Sequence, residues 1–140
     1  GAEESVWPVT WMPEQRMEKP DGGTKKFRAA NGAIMHHYGQ KNVKFRVPGA
    51  NDDRTKSITF QVTDVQKPLV SVARIVELGH VVKFGPKAED NVIVNPRTGD
   101  VMQMRQLRGG YVMDVEFLLL GAERVVAVAG FLPTVFPRRA

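Results

Sequence analysis

The chain has 140 residues, a length that suits one domain, or one domain with a tail. It contains no cysteine, which excludes disulfide bonds, cysteine zinc sites and thiol nucleophiles, and fits a reducing, cytoplasmic setting. The net charge of +5 is a mild bias that would favour an acidic partner or nucleic acid, and no apolar run approaches the roughly 20 residues of a membrane span.

Proline and glycine divide the sequence into short segments, a pattern typical of β structure. Asn31-Gly32 is the strongest hairpin signal, because both residues tolerate a positive φ. Further along, apolar and polar residues alternate, as expected for strands with one buried face. These patterns predict strands at residues 25–30, 34–38, 42–47 and 57–63.

The second half of the chain begins with the only predicted helix. Apolar residues recur at helical spacing over residues 70–78, and Gly79 follows as a stop signal. Turn residues then separate strands predicted at residues 80–84, 91–94, 101–107 and 111–120. Short strands with one short helix predict a domain of the all-β class, that is, mainly β with one short helix, built as a barrel or sandwich.

Residues 121–140 form a separate C-terminal extension in this interpretation, after a domain at residues 1–120. Two alternatives remain open for the extension. It could be one further strand, or a linker within a longer polyprotein. The sequence does not begin with Met, so we expect a fragment of a longer chain.

Four segments together resemble the retropepsin-like aspartic protease domain of Copia-type retrotransposon Pol polyproteins. The start, Gly1-Ala2-Glu3-Glu4-Ser5-Val6, is similar to the end of an Asp-Ser/Thr-Gly-Ala motif. Phe27-Arg28-Ala29-Ala30-Asn31-Gly32 resembles the strand and turn that lead into the flap, and Gly39 with residues 43–47 resembles its return strand. The most specific match is residues 58–65 followed by Pro68-Leu69-Val70-Ser71-Val72.

The resemblance implies a retropepsin-like acid-protease barrel that is one half of a two-fold homodimer. An aspartic protease needs two carboxylates around one water, and a domain this short carries a single motif. The substrate would be a peptide or polyprotein, and no cofactor is implied because water is the nucleophile. The catalytic aspartate would lie two positions before Gly1, so the chain contains no catalytic residue and as it stands would be inactive.

The same resemblance assigns three groups of site residues. The substrate cleft would be lined by Gly1 and Ala2. The flap would comprise Ala30, Asn31, Gly32, Ala33 and Ile34. The active-site loop would comprise Leu69, Val70, Ser71 and Val72, which lacks the glycine usual in that family; Leu119-Leu120-Gly121 has the right residue types but falls late.

Other candidate residues favour ordinary structural roles. His36 and His37 would point to opposite faces of a strand, so we expect packing or surface roles and no metal site. The adjacent acids Glu3 and Glu4 are expected to be solvated. Asp21-Gly22-Gly23 is the only string similar to the missing motif, but no apolar strand precedes it.

A second function remains open, a noncatalytic β-barrel interaction module that binds nucleic acid. The net charge of +5 and the two tryptophans, Trp7 and Trp11, motivate this alternative. Core packing is the default expectation for both tryptophans, and base stacking is the alternative.

Overall fold

The structure, a computed structural model, describes residues 4–13, 15–29, 32–48, 55–108, 110–118 and 124–132, the last range without its side chains. Short strands dominate these residues, as predicted. The strands are β1 (Val6–Pro8), β2 (Phe27–Arg28), β3 (Ile34–Met35), β4 (Gly39–Arg46), β5 (Lys56–Thr63), β6 (Leu69–Ser71), β7 (Val81–Lys83), β8 (Val92–Val94), β9 (Val101–Gln103), β10 (Arg105–Leu107), β11 (Gly110–Leu118) and β12 (Arg124–Leu132). One α-helix, α1 (Val72–Glu77), and a 3₁₀ turn, Ala88–Asp90, complete the described elements.

Seven of the strands form one curled sheet in the order β10-β11-β12-β6-β1-β5-β4. β11 also pairs with β4, so the pairings run in a ring that encloses the core. β1 runs parallel to β5, and β12 runs parallel to β6, while the other pairs in this sheet are antiparallel. The prediction of a mainly β chain with one short helix is confirmed.

The segments on either side of the predicted Asn31-Gly32 turn form a small separate sheet in which β2 pairs with β3. The Ala29 N–H donates to the Ala33 carbonyl at 2.8 Å, which closes the turn. Gly32 has a φ of +87°, a conformation that costs a glycine little because it has no Cβ. Ala30 and Asn31 lie outside the described residues.

The helix begins two residues later than predicted. Leu69–Ser71 is strand β6, and its pairing with β12 keeps Val70 and Ser71 extended. Ser71 instead caps α1, because its side chain accepts a hydrogen bond from the Arg74 N–H at 3.3 Å. Gly79 follows the helix with a φ of +96°, as its predicted role as a stop signal requires.

The strand predicted at residues 101–107 is two strands in different sheets. β9 pairs with β8 in a three-stranded sheet of β7, β8 and β9, whereas β10 pairs with β11 in the large sheet. The change occurs at Met104, which is 1% exposed and donates its N–H to the Asn91 carbonyl at 2.8 Å. Local alternation could not reveal the break, because β9 and β10 are both extended.

The core combines side chains from the large sheet and from the three-stranded sheet. Trp7 is fully buried at its centre, in contact with Phe60 and Phe117 at ring-centroid distances of 5.1 and 4.9 Å. The three-stranded sheet contributes Ile93 and Met102. The alternation predicted for residues 42–47 is also confirmed, since Val43, Phe45 and Val47 are buried whereas Lys44 is exposed.

Part of the C-terminal extension belongs to the large sheet. β12 pairs with β11 over seven residue pairs and with β6 over three. Of the two alternatives for the extension, one further strand therefore holds for residues 124–132. Residues 121–123 and 133–140 lie outside the described residues. Within the described part of the chain, no helix is long and apolar enough to cross a membrane.

Candidate functional site: a polar cleft at the start of β1

The start of β1 is bound to the end of β6, although 66 residues separate them in sequence. The Ser5 hydroxyl accepts a hydrogen bond from the Ser71 N–H at 2.9 Å, and both residues are buried. The Ser5 carbonyl accepts a second bond, from the Gln61 N–H on β5 at 2.8 Å. These two bonds fix the residue before β1 between β5 and β6.

A cleft of about 550 Å³ opens beside this junction. We call it the polar cleft, and its walls include Glu4, Ser5, Lys25, Gln61, Val70 and Arg74. It brings together the entry to β1, the segment before β2, the middle of β5 and the first turn of α1. The lining includes both apolar and charged side chains.

Glu4 binds two basic side chains of the polar cleft. Its Oε2 accepts hydrogen bonds from Lys25 Nζ at 2.7 Å and from Arg74 Nη2 at 3.0 Å. Burial raises the pKa of the Glu4 carboxyl, but the Lys25 hydrogen bond and the Arg74 charge outweigh burial, so this pKa lies below its ordinary value. The expectation of a solvated acid is wrong for Glu4, whose side chain is only 15% exposed.

A buried histidine connects the segment before β2 to the large sheet. His37 Nδ1 accepts a hydrogen bond from the Lys25 N–H at 2.8 Å, so Nε2 carries the proton in the neutral ring and donates to Gln61 Oε1, also at 2.8 Å. Gln61 in turn donates to Gln40. His36, its neighbour, is exposed, as strand geometry predicts for adjacent residues.

The chain just after the β2–β3 hairpin is also bound to Asp64, which lies just after β5. Its carboxylate accepts hydrogen bonds from the Tyr38 hydroxyl at 2.6 Å and from the His36 N–H at 2.9 Å. These two bonds hold the pKa of the Asp64 carboxyl below its ordinary value. The bond to Asp64 also raises the pKa of the Tyr38 hydroxyl. Asp64 therefore fixes the strand-to-hairpin junction as an anion at neutral pH.

The predicted site residues divide into three groups in the structure. From the predicted active-site loop, Val70 lines the polar cleft, and the Ser71 N–H donates to Ser5 in its wall. The described flap residues Gly32, Ala33 and Ile34 form the turn side of the hairpin, and none of them lines the described part of this cleft. Gly1 and Ala2 lie outside the described residues, as does the late candidate at residues 119–121.

The sequence carries no signal that assigns Lys25 or Arg74 to a cleft. Lys25 belongs to a short basic run that resembles any solvated surface, and Arg74 lies 70 residues from Glu4. No local pattern links such distant charges. Trp7, by contrast, confirms the packing expectation; it is fully buried and its ring cannot stack on a base.

The described residues contain no group of three or more His, Asp or Glu side chains arranged to hold a metal ion. Asp21 is exposed and donates its N–H to Gln40 Oε1 at 3.0 Å, within a turn. Comparisons of the chain with protein-family models, with curated proteins and with solved structures find no match.

Proposed function

We propose that this chain is one half of a retropepsin-like aspartic endopeptidase, which acts as a homodimer and processes a retroelement polyprotein in the cytoplasm. The observation that carries the proposal is the junction of Ser5 with Ser71, because it joins two distant segments that the resemblance assigns to one active site.

The reaction requires two carboxylates close to one water molecule. Because two such charges repel each other, the pair shares one proton over a range of acidic pH, and its titration belongs to the pair. One carboxylate takes a proton from the attacking water while the other donates to the scissile carbonyl. In this proposal each subunit provides one aspartate, two positions before Gly1 and close to the entry to β1.

In this proposal, contacts within the chain position the residues just before β1. Ser5 is held by the Ser71 N–H, and Glu4 is held by Lys25 and Arg74. These bonds constrain the backbone at Glu4 and Ser5, a few residues after the expected aspartate. Their role is to orient the aspartate-bearing turn, and the carboxylates themselves perform the chemistry.

The β2–β3 hairpin supports the proposal as a cover for an extended substrate. Ile34 at its turn is 64% exposed, a large fraction for an isoleucine, and would be covered by a bound peptide. An extended peptide can add backbone hydrogen bonds to a strand edge of this kind. The hairpin is tied to the large sheet at its base by the bonds of His37 to Gln61 and of the His36 N–H to Asp64.

The test extends the chain by Asp-Ser before Gly1 and compares it with a chain extended by Asn-Ser. The Asp-Ser form should cleave a peptide library at mildly acidic pH, and pepstatin should inhibit the cleavage. The Asn-Ser form should be inactive, because the amide cannot act as the base. Sedimentation should show a dimer; a folded, dimeric Asp-Ser form that cleaves nothing would refute the proposal.

A further inference from the structure

His37 holds an exposed segment of the chain against the large sheet. Residues 21–26 are exposed, whereas His37 is only 5% exposed. Its Nδ1 accepts a hydrogen bond from the Lys25 N–H at 2.8 Å, and its Nε2 donates to Gln61 Oε1 on β5. We call residues 21–25 the wall segment, because Asp21 and Lys25 line the polar cleft.

A series of hydrogen bonds joins both ends of the wall segment to the same buried side chains. Gln61 Nε2 donates to Gln40 Oε1 at 3.3 Å, and this oxygen also accepts the Asp21 N–H at 3.0 Å. Gln40 and Gln61 are both buried. Each donor in the series meets an acceptor only when His37 Nδ1 carries no proton, so the bonds require one tautomer of the neutral ring.

The wall segment has few constraints between its two ends. Gly22 and Gly23 have φ values of +77° and +84°, and no atom lies within 4 Å of the position that a Cβ would occupy. The Lys25 ammonium group binds Glu4, but the Lys25 side chain is 44% exposed and water screens this pair. The bond from the Lys25 N–H to His37 therefore fixes the position of the Lys25 end.

A second proton on the His37 ring is incompatible with this bond. The imidazolium ring has an N–H at both nitrogens, so Nδ1 would present a donor to the Lys25 N–H, which is also a donor. Two N–H groups cannot bond to each other, and the contact must open. Histidine is the side chain whose charge ordinarily changes between about pH 5 and pH 8.

The surroundings of His37 do not compensate for a positive charge. The Phe27 ring packs against the imidazole at a centroid distance of 5.1 Å. No carboxylate among the described residues bonds to the ring: Glu4 binds Lys25 and Arg74, and Asp64 binds Tyr38 and the His36 N–H. The other charged residues on the segments around His37 are Glu18, Asp21, Lys26 and Arg28, which are exposed, and Lys41, which donates to the Met12 carbonyl.

We propose that protonation of His37 releases the Lys25 end of the wall segment from the large sheet and so changes the shape of the polar cleft. The Asp21 N–H stays bound to Gln40 as the fixed end, and Gly22 and Gly23 provide the backbone freedom for the movement. A proton that binds only to the released state favours that state as pH falls. The proposal does not rest on the proposed protease function, because all of these contacts lie within one chain.

The experiment is NMR of the ¹⁵N-labelled 140-residue chain between about pH 8 and pH 5. The ring-nitrogen shifts of His37 report which nitrogens carry protons, and the scalar coupling between the Lys25 nitrogen and His37 Nδ1 reports their hydrogen bond. At the alkaline end, Nδ1 should be unprotonated and the coupling present. The coupling should vanish as the ring takes its second proton.

Hydrogen exchange in the same samples measures the release itself. The protection of the Lys25 amide, relative to an unstructured chain, should fall about tenfold with the midpoint of the His37 titration, which corresponds to one net hydrogen bond. The Gly23 amide signal should shift with the same midpoint. The amides of Val43 and Phe60 in the core should keep their protection.

Two histidine variants separate the His37 contact from the general effects of acid. His37→Asn places an amide oxygen close to the position of Nδ1 and takes no proton in this range, so the Lys25 amide should stay protected throughout. His36→Asn is the matched control, because it removes the exposed neighbouring ring and should leave the Lys25 transition unchanged. If His37→Asn does not fold, the coupling and the ring-nitrogen shifts of the original chain, compared with His36→Asn, decide the role of His37.

Four results would overturn the proposal. The first is a coupling between Lys25 and His37 that is absent at the alkaline end or that persists in the protonated ring. The second is a His37 ring that stays neutral throughout the range. The third is a loss of protection at Val43 and Phe60 together with Lys25, which would show that the whole chain unfolds. The fourth is a Lys25 transition that remains in His37→Asn.

Discussion

The polar cleft shares a wall with an apolar cavity of about 330 Å³ beneath α1, which is lined among others by Phe45, Phe60, Met102 and Phe117. Different interactions stabilise the residues around the two spaces. Val70, Ile75 and Leu78 border both spaces. On the cleft side, the same segment presents the Ser71 N–H and the Arg74 guanidinium to Ser5 and Glu4. On the cavity side, the wall faces phenylalanine and methionine side chains.

This contrast teaches how a short segment can serve two purposes. Burial of aromatic area contributes most of the free energy of folding on the cavity side. The polar contacts contribute less, because each replaces a hydrogen bond to water, but they fix directions that apolar packing leaves loose. We therefore expect substitutions at the cavity wall to change stability strongly, and those at the cleft to change geometry and pH response.

The largest effect is expected from Phe60→Ala on the cavity side. Phe60 is 1% exposed and packs against Trp7, so its removal should lower the free energy of unfolding by about 3–5 kcal/mol. Urea denaturation followed by tryptophan fluorescence measures the change. Ile34→Ala, at an exposed position, is the control and should shift stability by less than about 0.5 kcal/mol. Equal effects of the two variants would contradict the assignment of Phe60 to the core.

An intermediate effect is expected from Ser5→Ala on the cleft side. The substitution removes the acceptor of the buried Ser71 N–H, which should lower the free energy of unfolding by about 1–3 kcal/mol. Amide hydrogen exchange should become faster at Ser71 than elsewhere in β6. Ser57→Ala, an exposed serine on β5, serves as the matched control. If Ser5→Ala and Ser57→Ala behave alike, the Ser5–Ser71 bond does not fix the entry to β1.

A smaller, pH-dependent effect is expected from Glu4→Gln. The folded-state pKa of Glu4 is lowered, so its stabilisation is fully present above the unfolded-state pKa of about 4.3 and is lost as pH falls through the folded-state pKa. The contribution should be below about 1 kcal/mol, because Lys25 and Arg74 are 44% and 50% exposed and water screens the pair. Urea midpoints at pH 7 and pH 3.5 measure it.

The matched control for Glu4→Gln is Glu89→Gln, at an exposed position in the 3₁₀ turn. At pH 7, Glu4→Gln should be less stable than the original chain and Glu89→Gln should be nearly unchanged. The difference between Glu4→Gln and the original chain should shrink at pH 3.5. A difference that grows on acidification would contradict the sign of the Glu4 pKa shift.

The smallest effect is expected from Tyr38→Phe at the base of the hairpin. Loss of the hydroxyl donor should raise the pKa of the Asp64 carboxyl towards its ordinary value, which an NMR titration of that carboxyl can follow. Stability should hardly change, since both groups are exposed. Tyr111→Phe, which removes a hydroxyl bonded to Gln106, should leave Asp64 unchanged. An unchanged Asp64 pKa in Tyr38→Phe would show that the contact is absent in solution.

The strands and the helix were largely predictable because their signals are local. Alternating apolar residues indicated β4 and β5, and Gly79 marked the end of α1. The start of α1 was misplaced because pairing with β12 overrides helical spacing at Val70 and Ser71. The division of residues 101–107 was missed for a similar reason, since only contacts with β8 and β11 distinguish β9 from β10.

The candidate site was less predictable than the fold. Resemblance indicated Ser71 and its neighbours, but the partners of Glu4 come from other parts of the chain.

The sequence by itself determined which segments extend, where the helix ends and which faces are apolar, because spacing and turn residues act over a few positions. Only the tertiary structure decided that Ser5 meets Ser71, that Glu4 lies between Lys25 and Arg74, and that a space remains beneath α1. Those features depend on which strands become neighbours. That choice follows from packing of the whole core, and no local pattern in the chain encodes it.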